Sequence, residues 1–593
     1  MDTVSQNPTL VTAAAVGLLL AAYFTQSEPT TPSPAVKKPR DGRPVAIALT
    51  DDELVKQKFA VEKIPADLDV IVIGSGMSGL AAAAALAKHG KRVLVLEQRD
   101  AAGGNTQVFE RNGYEFHTGL HYLGGYMDEK TSPNRKLMDY LTNDSVEFQH
   151  LGPIVDKVLA TRADDGSRDE FIYPADPDEI IQNLKDRFPN DHEAVYSFIQ
   201  TVVRACMSGG ITVGLQLCST WARPLFRWWH ARSFEFHAKT AAEVVSPLTT
   251  NQDLAGVLTY NWGDFGDPPG RASFATIASI HQYYLGGSFY PVGGPSAIAK
   301  SVTRVIESHG SRVLVQAPVE TILVDASGTA YGVRVNGKDI LAKTIISTVG
   351  APATYTKLIP KAHSHRVAHL VKELSNPNMQ SCCSLMTLFV GFKGDAKELG
   401  LHTYNIWKFP TWDHQTNFEV NKVSPDAPFS MQFITFPSVK DPTYATRFPG
   451  KQVALVIAPN FYEHVEQFKG SDMMERGDAY ESLKAMWTDR LLAFFLEEFP
   501  KVTRESIEVL ELGTALTNDY YLGTTRGAVY GLGHTPARFA SDVTNIRSPI
   551  KNFFLSGQDT LVSGVVGAAA SGMLTAGTIE ADVMTKMNAL LAM

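Results

Sequence analysis

Six consecutive residues, Gly74, Ser75, Gly76, Met77, Ser78 and Gly79, have the types and spacing to cradle a pyrophosphate. Gly74 permits a tight turn, Gly76 lets bare backbone approach the phosphates, and Gly79 lets a helix pack close to the strand before it. A helix that starts there offers free N–H groups and the positive end of its dipole to the anion. Glu97 follows Gly79 by 18 residues, where a carboxylate can accept from both ribose hydroxyls. An acid at that position disfavours a 2′-phosphate, so the expected nucleotide is FAD or NAD and not NADP.

The elements that must position these residues are legible around them. Residues 69–73 (DVIVI) read as a short apolar strand, residues 80–90 as an alanine-rich helix ended by Gly90, and residues 92–96 as a second strand. A glycine motif alone is weak; framed by strand, helix, strand and acid it reads as a dinucleotide-binding βαβ unit. Beyond the second strand, Gln98 leads into Gly103-Gly104-Asn105. This doublet resembles the continuation found in FAD proteins of the glutathione-reductase type. Near the C-terminus, residues 552–556 read as a strand, followed by Gly557, Gln558 and Asp559 and then a small-residue helix with Gly564, Val566, Gly567, Ala568 and Ala569. Small residues there would admit a large cofactor. By the same resemblance, Asp559 contacts the ribityl–pyrophosphate region and the backbone near Val319 contacts the adenine. Residues 312–316, 318–325 and 332–335 read as further strands, and 340–351 as one buried strand ending at Gly350.

The chain has 593 residues, too many for one compact core. The expected fold is α/β: a Rossmann-type FAD-binding domain of residues 61–150, 285–360 and 545–593, interleaved with an α+β substrate domain of 151–284 and 361–544. A formal net charge of −8 argues against a nucleic-acid partner. Cys206, Cys218, Cys382 and Cys383 form no metal-binding spacing and no disulfide framework. Residues 1–26 read as a hydrophobic anchor or leader, and 27–60 as a Pro/Thr-rich linker. The uncharged run 10–24 spans only about 22 Å as a helix, short of a hydrocarbon core of about 30 Å. Basic residues follow it, namely Lys37, Lys38, Arg40 and Arg43, and none precedes it. That asymmetry favours a signal-anchor with the body in the cytosol over a removed leader.

Four stretches carry a more specific resemblance. They are residues 69–125, from DVIVIGSGMSGL to GLHYLGG; residues 263–299, GDFGDPPGRASFATIASIHQYYLGGSFYPVGGPSAIA; and two C-terminal runs, YYLGTTRGAVYGLGHTPARF and NFFLSGQDTLVSGVVGAA. Together they resemble the all-trans-retinol 13,14-reductase (retinol saturase) family, which sits with carotenoid isomerases and phytoene desaturases. Matches run from about residue 69 to residue 580. The resemblance implies FAD, a lipophilic retinoid or carotenoid-like polyene, and saturation of one double bond, with cis/trans isomerisation or desaturation as the alternative. It further implies a membrane-associated enzyme, at the endoplasmic reticulum or in a plastid or other organelle.

Candidates for the chemistry are His121, Tyr260, Tyr284, Arg526, Tyr530 and His534, with Asp264 beside them in the central segment. A Tyr or His of this set is expected to be the proton donor. For each aromatic, plain core packing is the competing reading. Residues 211–234 interleave Trp221, Phe226, Trp228, Trp229 and Phe234 with Arg223, Arg227 and Arg232. They suit either a membrane interface or a cap helix with its rings turned inward, and Pro224 is expected to break the helical period. No second nucleotide-binding unit is visible, so either electrons come from a diffusible donor, NAD(P)H or a redox protein, or the net reaction is redox-neutral. No Cys lies beyond residue 383, which excludes an amine oxidase holding its flavin through a C-terminal Cys. An intact dinucleotide motif disfavours a lipid carrier that has lost catalysis.

Overall fold

The computed structural model describes residues 44–162, 165–381, 383–470 and 476–592. The apolar run 10–24, the stretch 27–43 and Cys382 lie outside the described residues, and so do the anchor and leader readings made on them.

Val70–Ile73 and Val93–Leu96 are near-continuous apolar runs, which suit a parallel sheet covered on both faces. They form the middle of a five-stranded parallel sheet, in the order Phe553–Leu555, Thr344–Ser347, Val70–Ile73, Val93–Leu96, Arg312–Leu314. Side chains alternate along each strand. Val70, Val72, Val93 and Val95 face the Ala-rich helix Met77–Lys88 and the C-terminal helix Val565–Ile579. Ile71, Ile73, Leu94 and Leu96 face a second core with Ile322, Val333 and Tyr355. The two helices touch through their small residues: a Cβ on Gly572 would collide with Ser78 O and lie 2.9 Å from Ala81 Cβ.

A three-stranded antiparallel sheet, Val319–Val324, Ala330–Val335 and Lys338–Leu341, covers that second face. Here the expected single strand over 340–351 divides in two. Asn336 and Gly337 both have positive φ, 48° and 72°, the geometry of a two-residue hairpin. They fold Lys338–Leu341 back onto its neighbour, and the chain then enters the parallel sheet as Thr344–Ser347.

The other large sheet has seven strands, in the order Ile507–Gly513, Ser384–Lys393, Lys451–Asn460, Gln432–Thr435, Asn405–Lys408, Ile154–Thr161, Arg168–Pro174. Pairing is antiparallel except between Asn405–Lys408 and Ile154–Thr161. Met386, Leu388, Val390 and Phe392 pack on one side with Trp487, Leu491 and Phe495 of the helix Asp478–Glu498. Leu385, Thr387 and Phe389 alternate to the other side and line a cavity.

Two local expectations need correction. The linker does not run to residue 60. Thr50 caps the helix Asp51–Leu54 in a reciprocal capping box, Leu54 is fully buried, and Lys58 bridges Val315. Pro224 does not break a helix either. It sits in the first turn of Arg223–Trp229, where a missing N–H costs nothing.

Candidate active site

The glycine loop emerges at the C-terminal end of Val70–Ile73, the end at which open α/β sheets bind ligands. Gly74 has φ 97°. A Cβ on Gly79 would fall onto Gly74 O and press on Thr348 Oγ1 and Val72 Cγ1, both at 3.2 Å, so this glycine serves helix packing. A Cβ on Gly76 would meet nothing within 4 Å. Gly76 is the bare stretch of backbone that faces open space. Gly104, at φ 55°, crosses close by, and its own Cβ would lie 3.0 Å from Gly76 Cα.

Glu97 is buried beside this loop. Its Oε2 accepts from Ser75 N at 3.0 Å and Ser75 Oγ at 2.6 Å, and its Oε1 from Arg99 N at 2.9 Å. A carboxylate has about four acceptor sites, so capacity for a ribose hydroxyl is left. The free N-terminus of Met77–Lys88, the open face of Gly76 and this acid fit a dinucleotide.

These groups open into one cavity of about 2350 Å³. Of the residues expected to hold the cofactor, Gly74, Gly76, Met77, Ser78, Glu97, Gln98, Gly103, Gly104, Asn105, Val319, Gly557, Asp559 and Val566 line it. Ser75 and Gly79 do not, and act from behind the wall. Both carboxylate oxygens of Asp559 accept from backbone: Oδ2 from Ala351 N and Oδ1 from Leu532 N, each at 2.8 Å. Asp559 thus ties three cavity loops together. Buried Arg538 completes the knot by donating to the carbonyls of Leu532, Gln558, Asp559 and Leu561.

The cavity continues from Gly557 and Gln558 to a wall of Leu385, Phe389, Ile457, Ile280, Tyr283 and Tyr284. His121, Tyr122 and Asp264 line the cavity as well. Tyr122 donates to Asp264, with its hydroxyl 3.0 and 3.1 Å from the two carboxyl oxygens, and its ring stacks on Tyr284 at 4.6 Å. Behind the wall, Asp156 accepts from Tyr260 OH and Asn405 Nδ2, each at 2.9 Å. Lys440 Nζ donates to Asn405 Oδ1, to Thr435 Oγ1 at 2.7 Å and to His121 O at 3.0 Å, and lies 5.3 Å from the Tyr122 ring centre.

Electrostatics sort these groups. Burial, with the Lys440 cation next, pulls His121 down to about 3, so its imidazole is neutral. Burial and then Arg538 hold His534 well below the usual histidine range. Burial pushes the Asp264 carboxyl well up; Asp156 adds to this and the Tyr122 hydrogen bond opposes it. Burial also brings Lys440 down to about 7, against the attraction of Asp156. The phenols of Tyr122, Tyr260 and Tyr284 are pushed up by burial and by nearby carboxylates.

The expected catalytic residues therefore separate. His121, Tyr284, Arg526, Tyr530 and His534 line the cavity, whereas Tyr260 is bonded to Asp156 and does not. Arg526 turns to Glu463 at 2.7 Å and Glu466 at 3.7 Å, so its charge is spoken for at the rim. The neutral imidazoles of His121 and His534 carry no imidazolium proton to give. Sequence reasoning missed Tyr122, Asp156, Asn405, Lys440 and Arg538. Tyr122 adjoins His121 in GLHY and could have been weighed. Nothing in FPSVKD marks Lys440 as buried.

A Rossmann-type sheet with a glycine loop, an acid and a second cofactor loop, joined by one cavity to a mixed sheet, defines a flavin-dependent oxidoreductase. The chain belongs to the flavin containing amine oxidoreductase family, which it matches over residues 77–579. Its cofactor is FAD. The chain is similar to an all-trans-retinol 13,14-reductase of Danio rerio, 34% identical, over 89% of this chain and 88% of that protein. It is also similar to a chloroplastic prolycopene isomerase of Daucus carota, 25% identical, over 87% of this chain and 80% of that protein. Among solved structures, putrescine oxidase bound to putrescine shares the fold at a TM-score of 0.55 and 18% identity, over 87% of this chain and 99% of that one.

Proposed function

We propose that this enzyme saturates one double bond of a retinoid or carotenoid-like polyene, as in the conversion of all-trans-retinol to 13,14-dihydroretinol. The observation that carries the reading is the single cavity that runs from the cofactor loops to an apolar wall of Leu385, Phe389 and Ile457. A polyene needs such a wall, because each buried CH₂ group contributes about 0.8 kcal/mol. Likeness to the Danio rerio reductase supports the same substrate class.

When bound and reduced, FAD supplies an electron pair and one hydrogen to an alkene carbon. The protein's part is to hold the polyene against it, exclude water and deliver a proton to the neighbouring carbon. A diffusible donor, NAD(P)H or a redox protein, recharges the cofactor. Likeness to the prolycopene isomerase supports a second reading, cis/trans isomerisation of a carotenoid in the same cavity. Anaerobic incubation with all-trans-retinol, and separately with a cis-carotenoid, with and without dithionite, tests both. A gain of two hydrogens and a blue-shifted spectrum, only with dithionite, establishes the saturase. Unchanged mass with an altered spectrum establishes the isomerase.

The lipophilic substrate is drawn from a membrane, and the surface suited to meet it is the helical segment after residue 206. There Met207, Trp221, Leu225, Trp228 and Trp229 are between 60 and 80% exposed. Arg232 is exposed beside them. Trp rings bury at the headgroup level while Arg meets phosphate. These residues support contact with a membrane; the membrane proposed is that of the endoplasmic reticulum or another organelle, with the catalytic body in the cytosol.

A further inference from the structure

We propose that Tyr122 is the catalytic proton donor of this enzyme and that Asp264 is the acid that recharges it. The inference rests on the saturation reading, since saturation needs a proton at the carbon next to the one that receives the hydrogen from reduced FAD.

The pair is built for such a transfer. Both side chains line the cavity, and Tyr122 is only 7% exposed, so bulk water does not compete. Its hydroxyl lies at nearly equal distances, 3.0 and 3.1 Å, from both Asp264 oxygens. A phenol has one hydrogen. In this geometry it is shared between the two carboxyl oxygens; once Asp264 is protonated, the carboxyl can donate to the phenol oxygen in its place. In that arrangement the phenol hydrogen is free to point into the cavity. The ring is fixed by stacking on Tyr284 at 4.6 Å and by Phe433 at 6.2 Å. Lys440 Nζ lies 5.3 Å from the ring centre, where its charged form would steady a transient phenolate. Burial, and then the nearby Asp156, favour the protonated form of Asp264.

Four of the other candidates are engaged or unsuited. Tyr260 is off the cavity, Arg526 is paired with Glu463, and His121 and His534 are held neutral.

The step balances. The Tyr122 O–H bond breaks as a C–H bond forms at the substrate carbon. The phenolate takes the Asp264 proton, and the carboxylate left behind is reprotonated from solvent between turnovers. The electron pair and the first hydrogen come from reduced FAD, recharged by a two-electron donor of the nicotinamide or redox-protein class.

The test uses the purified, FAD-loaded full chain and its Tyr122→Phe, Asp264→Asn and Asp264→Glu variants. All are first compared for flavin absorbance, which should be unchanged. In the infrared, the resting wild-type protein should show a carboxylic-acid C=O band that Asp264→Asn removes and Asp264→Glu retains. With dithionite and all-trans-retinol, Tyr122→Phe and Asp264→Asn should saturate the alkene about 100-fold more slowly or worse, the usual worth of general acid catalysis. Asp264→Glu should recover most of the rate. Tyr122→Phe turning over at the wild-type rate would overturn the donor, and absence of the band would overturn Asp264 as the acid. A wild-type protein that leaves retinol unchanged fails at the earlier step and removes the saturation reading together with its donor.

Discussion

Gly76 and Gly79 stand three residues apart in one motif, yet alanine should harm them in different ways. Gly79 lies inside the helix Met77–Lys88. Alanine there gains about 1 kcal/mol of helix propensity. Against this, its methyl would sit on the Gly74 carbonyl and press on Thr348 and Val72. Backbone cannot swing aside as a side chain can, and overpacking costs typically about 1–3 kcal/mol and sometimes more. With a backbone atom under the methyl the upper end of that cost applies, so Gly79→Ala should lose roughly 2 kcal/mol net. Gly76 has φ −60° and ψ 169°, which any residue adopts, and nothing lies within 4 Å of its Cβ. Gly76→Ala should leave stability within about 1 kcal/mol of wild type. Its methyl would instead fill the space in which the backbone meets the pyrophosphate. Losing one charge-assisted hydrogen bond is worth about 1.5–3 kcal/mol, so FAD should bind between about 10- and 150-fold more weakly. Urea unfolding of the flavin-stripped proteins reads the first effect, and flavin titration reads the second. A Gly76→Ala protein with wild-type FAD affinity, or a Gly79→Ala protein of unchanged stability, would refute this division of labour.

Three further outcomes are expected. Arg538→Met removes the donor to four carbonyls of the cofactor loops; it should lower the flavin content of the purified protein and destabilise by about 3 kcal/mol or more, read by absorbance and by unfolding. Lys440 is lowered to about 7 when folded against 10.5 unfolded. Between those values the unfolded chain binds more protons, so this group raises stability as pH rises from about 7 to about 10; the wild type should gain on Lys440→Met across that window in parallel unfolding curves, and a constant difference would contradict it. Trp228→Ala combined with Trp229→Ala removes two rings exposed by 71 and 75%; sedimentation with anionic phospholipid vesicles should fall severalfold while flavin content stays the same.

Much of the cofactor site could be read along the chain because its parts are local. The turn at Gly74, the close packing at Gly79 and the acid at Glu97 lie within 24 residues, where each residue's role follows from backbone geometry. Val70–Ile73, Val93–Leu96 and Phe553–Leu555 were legible for a related reason: the sheet is covered on both faces, so these strands are apolar throughout. Asn336-Gly337 also carried a hairpin signal, and neglecting it merged two strands that belong to different sheets.

The proton-handling side of the cavity was not legible, because its members meet only in space. Tyr122 and Asp264 are 142 residues apart, and Lys440 lies 319 residues from His121. No spacing rule links them. Whether a tyrosine packs in the core or acts on a substrate depends on the strand or helix that the fold sets opposite it. Tyr260 and Tyr284 looked alike in sequence, and the packing alone sent one behind the wall and the other onto it. The sequence by itself determined the dinucleotide cradle, because that site is made of backbone and short-range geometry. Only the tertiary structure decided which buried acids, phenols and amines share a cavity, because a buried charge takes its protonation state from neighbours that the fold brings from across the chain.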